Sequence, residues 1–208
     1  MILYMRSLTL ALCSVLFLNG EVRAAEFFAA PQPMKATVQK EPINTVDPIF
    51  RAFINIGSDK FTFLIPEKFR LGGDAEKGRL QLSSTEVDTV ITMSFIGDSP
   101  AAPQELSPTP YREWLTTRYA GGKFVREFSR PAAGRTGRVF DVEWKGNAGM
   151  ARTTRAIYIP TSAGVLEVTI TSAAKSFPTA QTLLNSILGS LSASVDGKLE
   201  VIHLGNTN

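Results

Sequence analysis

The chain has 208 residues, 44% of them hydrophobic and 20% charged, and 22 Lys and Arg against 19 Asp and Glu give a formal net charge of +3. That length suits one substantial core rather than two ordinary domains, and the near balance of charge gives no reason to expect a polyanion such as nucleic acid as partner. One Cys and one His leave almost only carboxylates as candidate metal ligands, so neither a metal nor a cofactor is expected.

Met1 to Arg6 carry positive charge, Ser7 to Leu18 form an apolar run of about a dozen residues, and Glu21-Val-Arg-Ala-Ala25 ends in small residues. This three-part order is that of a secretory signal peptide. The run falls short of the roughly 20 residues that a spanning helix needs, so cleavage after Ala24 or Ala25 is expected. Cys13 lies inside the removed part. Leu10-Ala-Leu-Cys13 resembles a lipobox, but Leu12 stands where a small residue is required and the apolar run continues past the cysteine, so lipid anchoring is not expected. The mature chain is expected in the periplasm or outside the cell. It has no transmembrane segment, and its formal charge is (22 − 2) − (19 − 1) = +2.

Residues 25–48 are rich in Ala, Pro and Lys without sustained periodicity and read as a flexible leader. Phe61, Phe63 and Ile65 alternate with polar residues, which predicts a strand paired with 50–56 through a turn at Gly57-Ser-Asp59. Leu80 and Leu82 predict a short strand. Val87, Thr89, Ile91, Met93 and Phe95 predict a longer one beside it. Four prolines between Gly97 and Pro110 exclude a continued ladder there. Thr109 and Pro110 then suit the start of a helix whose Tyr111, Trp114, Leu115 and Tyr119 share one face and end at Gly121-Gly122.

Four strands are predicted near 123–130, 138–145, 150–160 and 165–171. In the second, Phe140, Val142 and Trp144 alternate with Asp141, Glu143 and Lys145, which predicts one core face and one wet face. Phe177, Ala180, Leu183, Leu184, Ile187, Leu188 and Leu191 recur at spacings of three and four, so an amphipathic helix of about three turns follows Ser176 and Pro178. Residues 196–208 read as a short strand or a tail.

Candidate chemistry is sparse. His203 sits five residues from the C-terminus, and no Gly-x-Ser-x-Gly elbow or phosphate-loop pattern occurs. Asp141 and Glu143 share a strand face and offer the single carboxylate pair for hydrolysis, although alternation makes them an ordinary solvent face. Between Arg118 and Arg155 nine basic residues face three acids, an excess of +6 that leaves −4 for the rest of the mature chain. Arg126, Arg130, Arg135 and Arg138 are therefore the candidate binding residues, since the guanidinium fork suits carboxylate, phosphate and lipid head groups.

The run Phe61-Thr-Phe-Leu-Ile-Pro-Glu-Lys-Phe69, the strand to Phe95, the Tyr111 helix, Arg155-Ala-Ile-Tyr-Ile159, and Val165 to Ala173 before Phe177 and the closing helix come in a telling order. It resembles the PsbP-like fold family over about residues 49–194. Ser172-Ala-Ala174, Phe177 and Leu188-Gly-Ser-Leu191 occupy the positions of that family's late turn and helix end, while Phe69 stands where a Trp is common. The resemblance implies an α+β fold, with an antiparallel sheet of about six to seven strands flanked by helices as an α/β/α sandwich over residues 49–195. It also implies a non-catalytic binding or assembly module that engages a protein or cell-envelope component. The alternatives are a hydrolase using the carboxylate pair and a carrier of lipid or a small ligand.

Overall fold

In the computed structural model, residues 31–41, 48–97, 108–146 and 149–195 are described. The expected signal peptide, its cleavage site at Ala24 or Ala25, Cys13, His203 and the segment 196–208 lie outside them.

Among the described residues eleven strands form two antiparallel sheets. The smaller holds β1 (Lys35–Glu41), β2 (Ile49–Ile56), β3 (Asp59–Ile65) and β11 (Ser192–Val195), in the order β1-β2-β3-β11. The larger holds β4 (Arg70–Asp74), β5 (Arg79–Ser83), β6 (Thr89–Gly97), β7 (Lys123–Ala132), β8 (Arg135–Lys145), β9 (Ala151–Thr161) and β10 (Gly164–Ala173). Its order is β4-β5-β6-β10-β9-β8-β7. Helix α1 (Pro108–Arg118) covers one face of the larger sheet, and helix α2 (Phe177–Ser190) with the smaller sheet covers the other. The fold is α+β and antiparallel, as expected, and its seven-stranded sheet has the expected size.

Period-two alternation builds both faces of the larger sheet. Ile157 and Ile159 of β9 and Leu166, Val168 and Ile170 of β10 point to α2 and the smaller sheet. Ala156, Tyr158 and Val165 point the other way, onto Tyr111 and Leu115 of α1. Because both faces are covered, the centre of the sheet has no wet side. On α2, Phe177, Ala180, Leu184, Ile187 and Leu188 make the buried stripe, and the helix runs 14 residues, about four turns rather than three. Pro178 sits in its first turn, where a missing amide costs nothing. Ser176 holds the N-cap position, but its side chain caps no amide; a 3₁₀ turn over Ala174–Ser176 leads into the helix instead.

Two expectations are corrected. Residues 35–41 were expected in a flexible leader, yet they form β1, hydrogen-bonded along β2 from Lys35 opposite Asn55 to Glu41 opposite Ile49. The amide of Gln32 also donates to the Phe95 carbonyl (2.8 Å) and that of Met34 to the Ala75 carbonyl (2.9 Å), so the segment is docked before the strand begins. The second correction is Asp141, expected on a wet face: it is buried at 5% exposure and paired with Arg155. Glu143 and Lys145, nearer the strand end, are exposed as expected.

Candidate functional site

The four candidate arginines do not form one patch. Register places Arg138 on the α1 face with Phe140, and Arg126, Arg130 and Arg135 on the α2 face, where they lie opposite or beside Asp141, Gly137 and Val139. Arg135 is spent inside the fold: its two terminal nitrogens donate to Asp59 at 2.7 and 2.8 Å and one also to the Pro160 carbonyl at 2.6 Å. Asp59 accepts the Ser162 amide as well, at 2.6 Å. Burial would push the Asp59 carboxyl up, but Arg135 and the Ser162 amide outweigh it and hold the group below the ordinary carboxylate range. The cluster ties three hairpin ends together. Arg130 donates to Asn185 of α2 at 2.7 Å, Arg138 lies 3.7 Å from Glu127, and Arg126 is exposed with no ion pair among the described residues.

The carboxylate pair is not assembled either. Asp141 receives two hydrogen bonds from Arg155, at 2.6 and 2.7 Å, and the guanidinium lies between the rings of Phe128 and Phe177 at 5.2 and 5.6 Å. That geometry makes Asp141 the counter-ion of a buried cation. Ser176 and Phe177, in the Thr171 to Leu188 stretch, serve the junction with α2.

A recess lies on the opposite face beside Glu167, which spacing along the chain does not single out. Glu167 alternates with Leu166 and Val168 on β10 and so points toward α1, in a row with Ser94 of β6 and, beyond it, Arg79 of β5. It is 2% exposed. Arg118, at the end of α1, donates to its Oε2 at 2.7 Å, and Oε1 is sealed from solvent. Burial works against the Arg118 charge, but Glu167 beside it holds the guanidinium above its ordinary range. The phenol of Tyr158 is raised far above the usual value, first by burial and then by the Glu167 charge. Tyr158 lies opposite Glu167 across the β9–β10 pair, and its phenol is the donor beside the carboxylate.

Glu167 closes one side of a recess of about 310 Å³. Arg79, Ser94 and Ile96 come from the sheet, Trp114, Thr117 and Arg118 from one side of α1, and Pro31 from the segment leading to β1. The helical spacing that predicted an aromatic stripe on α1 is thus divided in use. Tyr111 and Leu115 are fully buried in the core, with the Tyr111 ring 4.2 Å from that of Tyr158, and Trp114 is half-buried and walls the recess. Among the described lining residues Glu167 is the lone acid, and these residues hold no carboxylate pair for hydrolysis. Among the described residues no group of three His, Cys, Asp or Glu converges as a metal site. What the recess offers is an apolar wall and an exposed guanidinium on Arg79.

A helix-covered antiparallel sheet with a second sheet behind it is the PsbP-like architecture, and comparison with solved structures agrees. The solution structure of cyanobacterial PsbP (CyanoP) from Synechocystis sp. PCC 6803 superposes with a TM-score of 0.50 at 13% identity, over 68% of this chain and 94% of that one. LpqN of Mycobacterium tuberculosis, described as involved in cell envelope biogenesis, gives 0.47 at 14% identity over 76% and 91%. The immunity protein TplEi of Pseudomonas aeruginosa, solved with an "L" peptide, gives 0.41 at 14% identity over 74% and 58%. The chain therefore has the PsbP-like fold; at these identities the likeness concerns the fold alone. No protein-family model matches the chain, and no curated protein matches it in sequence.

Proposed function

We propose that the protein is an exported, non-catalytic binding or assembly module, and that it engages a protein or cell-envelope component through the recess beside α1. The observation that carries this reading is the recess of about 310 Å³ beside α1, where Trp114 and Ile96 stand next to the exposed Arg79 guanidinium. The hydrolase reading loses its pair, because Asp141 is held by Arg155. The lipid-carrier reading finds the space between the sheets filled by Phe61, Phe63, Ile91, Met93, Leu166 and Leu184. Among the described residues no helix is long and apolar enough to cross a membrane.

The test is crosslinking in the native host followed by identification of the captured component, with Trp114→Ala and Arg126→Glu compared with the unaltered chain. Loss of capture with Trp114→Ala and retention with Arg126→Glu is expected. Capture that survives Trp114→Ala but not Arg126→Glu would move the binding face to the arginine-bearing strands. Fractionation with N-terminal sequencing checks export, and a mature form beginning at Ala25 or Glu26 is expected.

A further inference from the structure

The outer strands of the two sheets are not alike. β7 carries a bulge between Phe124 and Arg126, the cations Lys123, Arg126 and Arg130, and Pro131, all of which hinder the addition of a further strand. β4 has five residues, two of them glycine, and β11 has four. β1 has seven, Lys35-Ala-Thr-Val-Gln-Lys-Glu41, without proline, glycine or bulge, all paired on β2 in one register. Its other side has no strand beside it among the described residues. An antiparallel strand can add there through backbone hydrogen bonds.

The side chains of β1 are complementary to themselves. Two copies of the strand paired antiparallel about a two-fold axis bring directly opposed residues to the same face, so the axis must pass through a residue position. Centred on Val38, the pairing sets Lys35 opposite the partner's Glu41, Ala36 opposite the partner's Lys40, Thr37 opposite the partner's Gln39, and Val38 opposite its own counterpart. All seven residues are used, and both ends join opposite charges. Centring on Thr37 or Gln39 loses the Lys35 to Glu41 match and leaves end residues over. The two faces also agree with this register. Lys35 and Glu41 lie on the outward face, where Arg51 already holds Glu41. Val38 lies on the other face with Ala36, 46% exposed and diagonal to Phe50, itself 43% exposed, so a second Val38 covers apolar surface that one chain leaves open.

We infer that β1 is a homodimer interface: two copies join edge to edge about Val38, and their four-stranded sheets become one continuous sheet. The inference needs neither the recess beside α1 nor its ligand.

Sedimentation equilibrium of the mature chain from about 1 to 200 μM is the test, and a dimer that dissociates on dilution is expected. Lys35→Glu and Glu41→Lys each set like charges opposite one another at both ends and should weaken the dimer about tenfold. An equal mixture of the two variants should restore it, because each mixed dimer regains two opposite-charge pairs; a role for either residue within one chain predicts no such rescue. The mature chain has no cysteine once Cys13 is removed. Val38→Cys should therefore give a disulfide-linked dimer on mild oxidation, whereas Lys35→Cys, about 20 Å from its counterpart, should not. An assembly larger than a dimer, a mixture no tighter than its components, or Lys35→Cys crosslinking as readily as Val38→Cys would overturn the inference. A chain that stays monomeric over the whole range would overturn it too and leave the edge of β1 to a strand of another protein.

Discussion

Replacing Asp141 by Ala removes the counter-ion of a buried cation. Arg155 and Asp141 are 4% and 5% exposed and share two short hydrogen bonds, so the variant leaves a guanidinium in the core between the faces of Phe128 and Phe177. Those ring contacts exist in both forms, and each supplies only about 0.5–2 kcal/mol. They cannot replace the carboxylate. Stranding one member of a buried pair costs about 3–5 kcal/mol, a large part of the roughly 5–15 kcal/mol that holds a domain folded. With a urea dependence of about 2 kcal/mol per molar, the unfolding midpoint should fall by about 1.5–2.5 M. Urea titration followed by circular dichroism measures it. The double variant Asp141→Leu with Arg155→Met removes both charges and should recover most of the loss. A midpoint within about 0.5 M of the unaltered chain for Asp141→Ala, or a double variant no better than the single one, would refute the view that this pair is a buried ionic clasp.

Leu184 is fully buried where α2 meets both sheets, and Leu184→Ala should cost about 2–5 kcal/mol in the same urea titration. Gly78 has a φ of +63°, and a Cβ there would lie 2.0 Å from the Gln32 carbonyl oxygen; Gly78→Ala should release the segment before β1, read as new protease cleavage near residues 31–34. Asp59, with a carboxyl held below its ordinary value of 3.8, contributes stability that is present above about pH 4 and lost as pH falls through the lowered value, because the unfolded chain then binds the proton more readily. Asp59→Asn should be less stable at pH 7 and lose less between pH 5 and pH 3, measured as urea midpoints at each pH.

What could be read from spacing alone was whatever buries a periodic stripe. The Ile91-Met93-Phe95 face of β6, the Phe140-Val142 face of β8 and the α2 leucines all lie in the core where alternation or helical spacing put them. β1 could not be found that way. Its residues Lys35 to Glu41 are mostly exposed and joined to β2 by backbone hydrogen bonds, which leave no trace in side-chain pattern. β4 carries Gly72 and Gly73 and is hidden for a similar reason. Asp141 and Glu167 share a different difficulty: each is the polar member of an alternating strand, and it is buried only because a helix or a second sheet covers that face. The one local hint for Glu167 is its place in a strand with apolar residues on both faces, Val165 on one and Leu166 and Val168 on the other.

The charge excess of residues 118–155 shows why a local run of arginines is a poor guide to a binding patch here. Arg118 pairs with Glu167, Arg135 with Asp59 and Arg152 with Asp88, so three of its nine basic residues take acids from outside the segment. Arg155 and Arg138 take Asp141 and Glu127 from within it. The +6 and −4 of the two parts are thus partly brought together by folding, which sets a helix end against β10, the smaller sheet against β8 and the loop before β6 against β9. Of the four arginines marked as candidates, Arg126 is the exposed one without such a pair, and a single exposed guanidinium is weak recognition. The α1 side differs, because there the exposed Arg79 guanidinium stands beside Trp114 and Ile96 in one recess. A charge next to an apolar wall in a concave surface recognises shape as well as sign, and for this reason the α1 side is the face on which specificity should be sought.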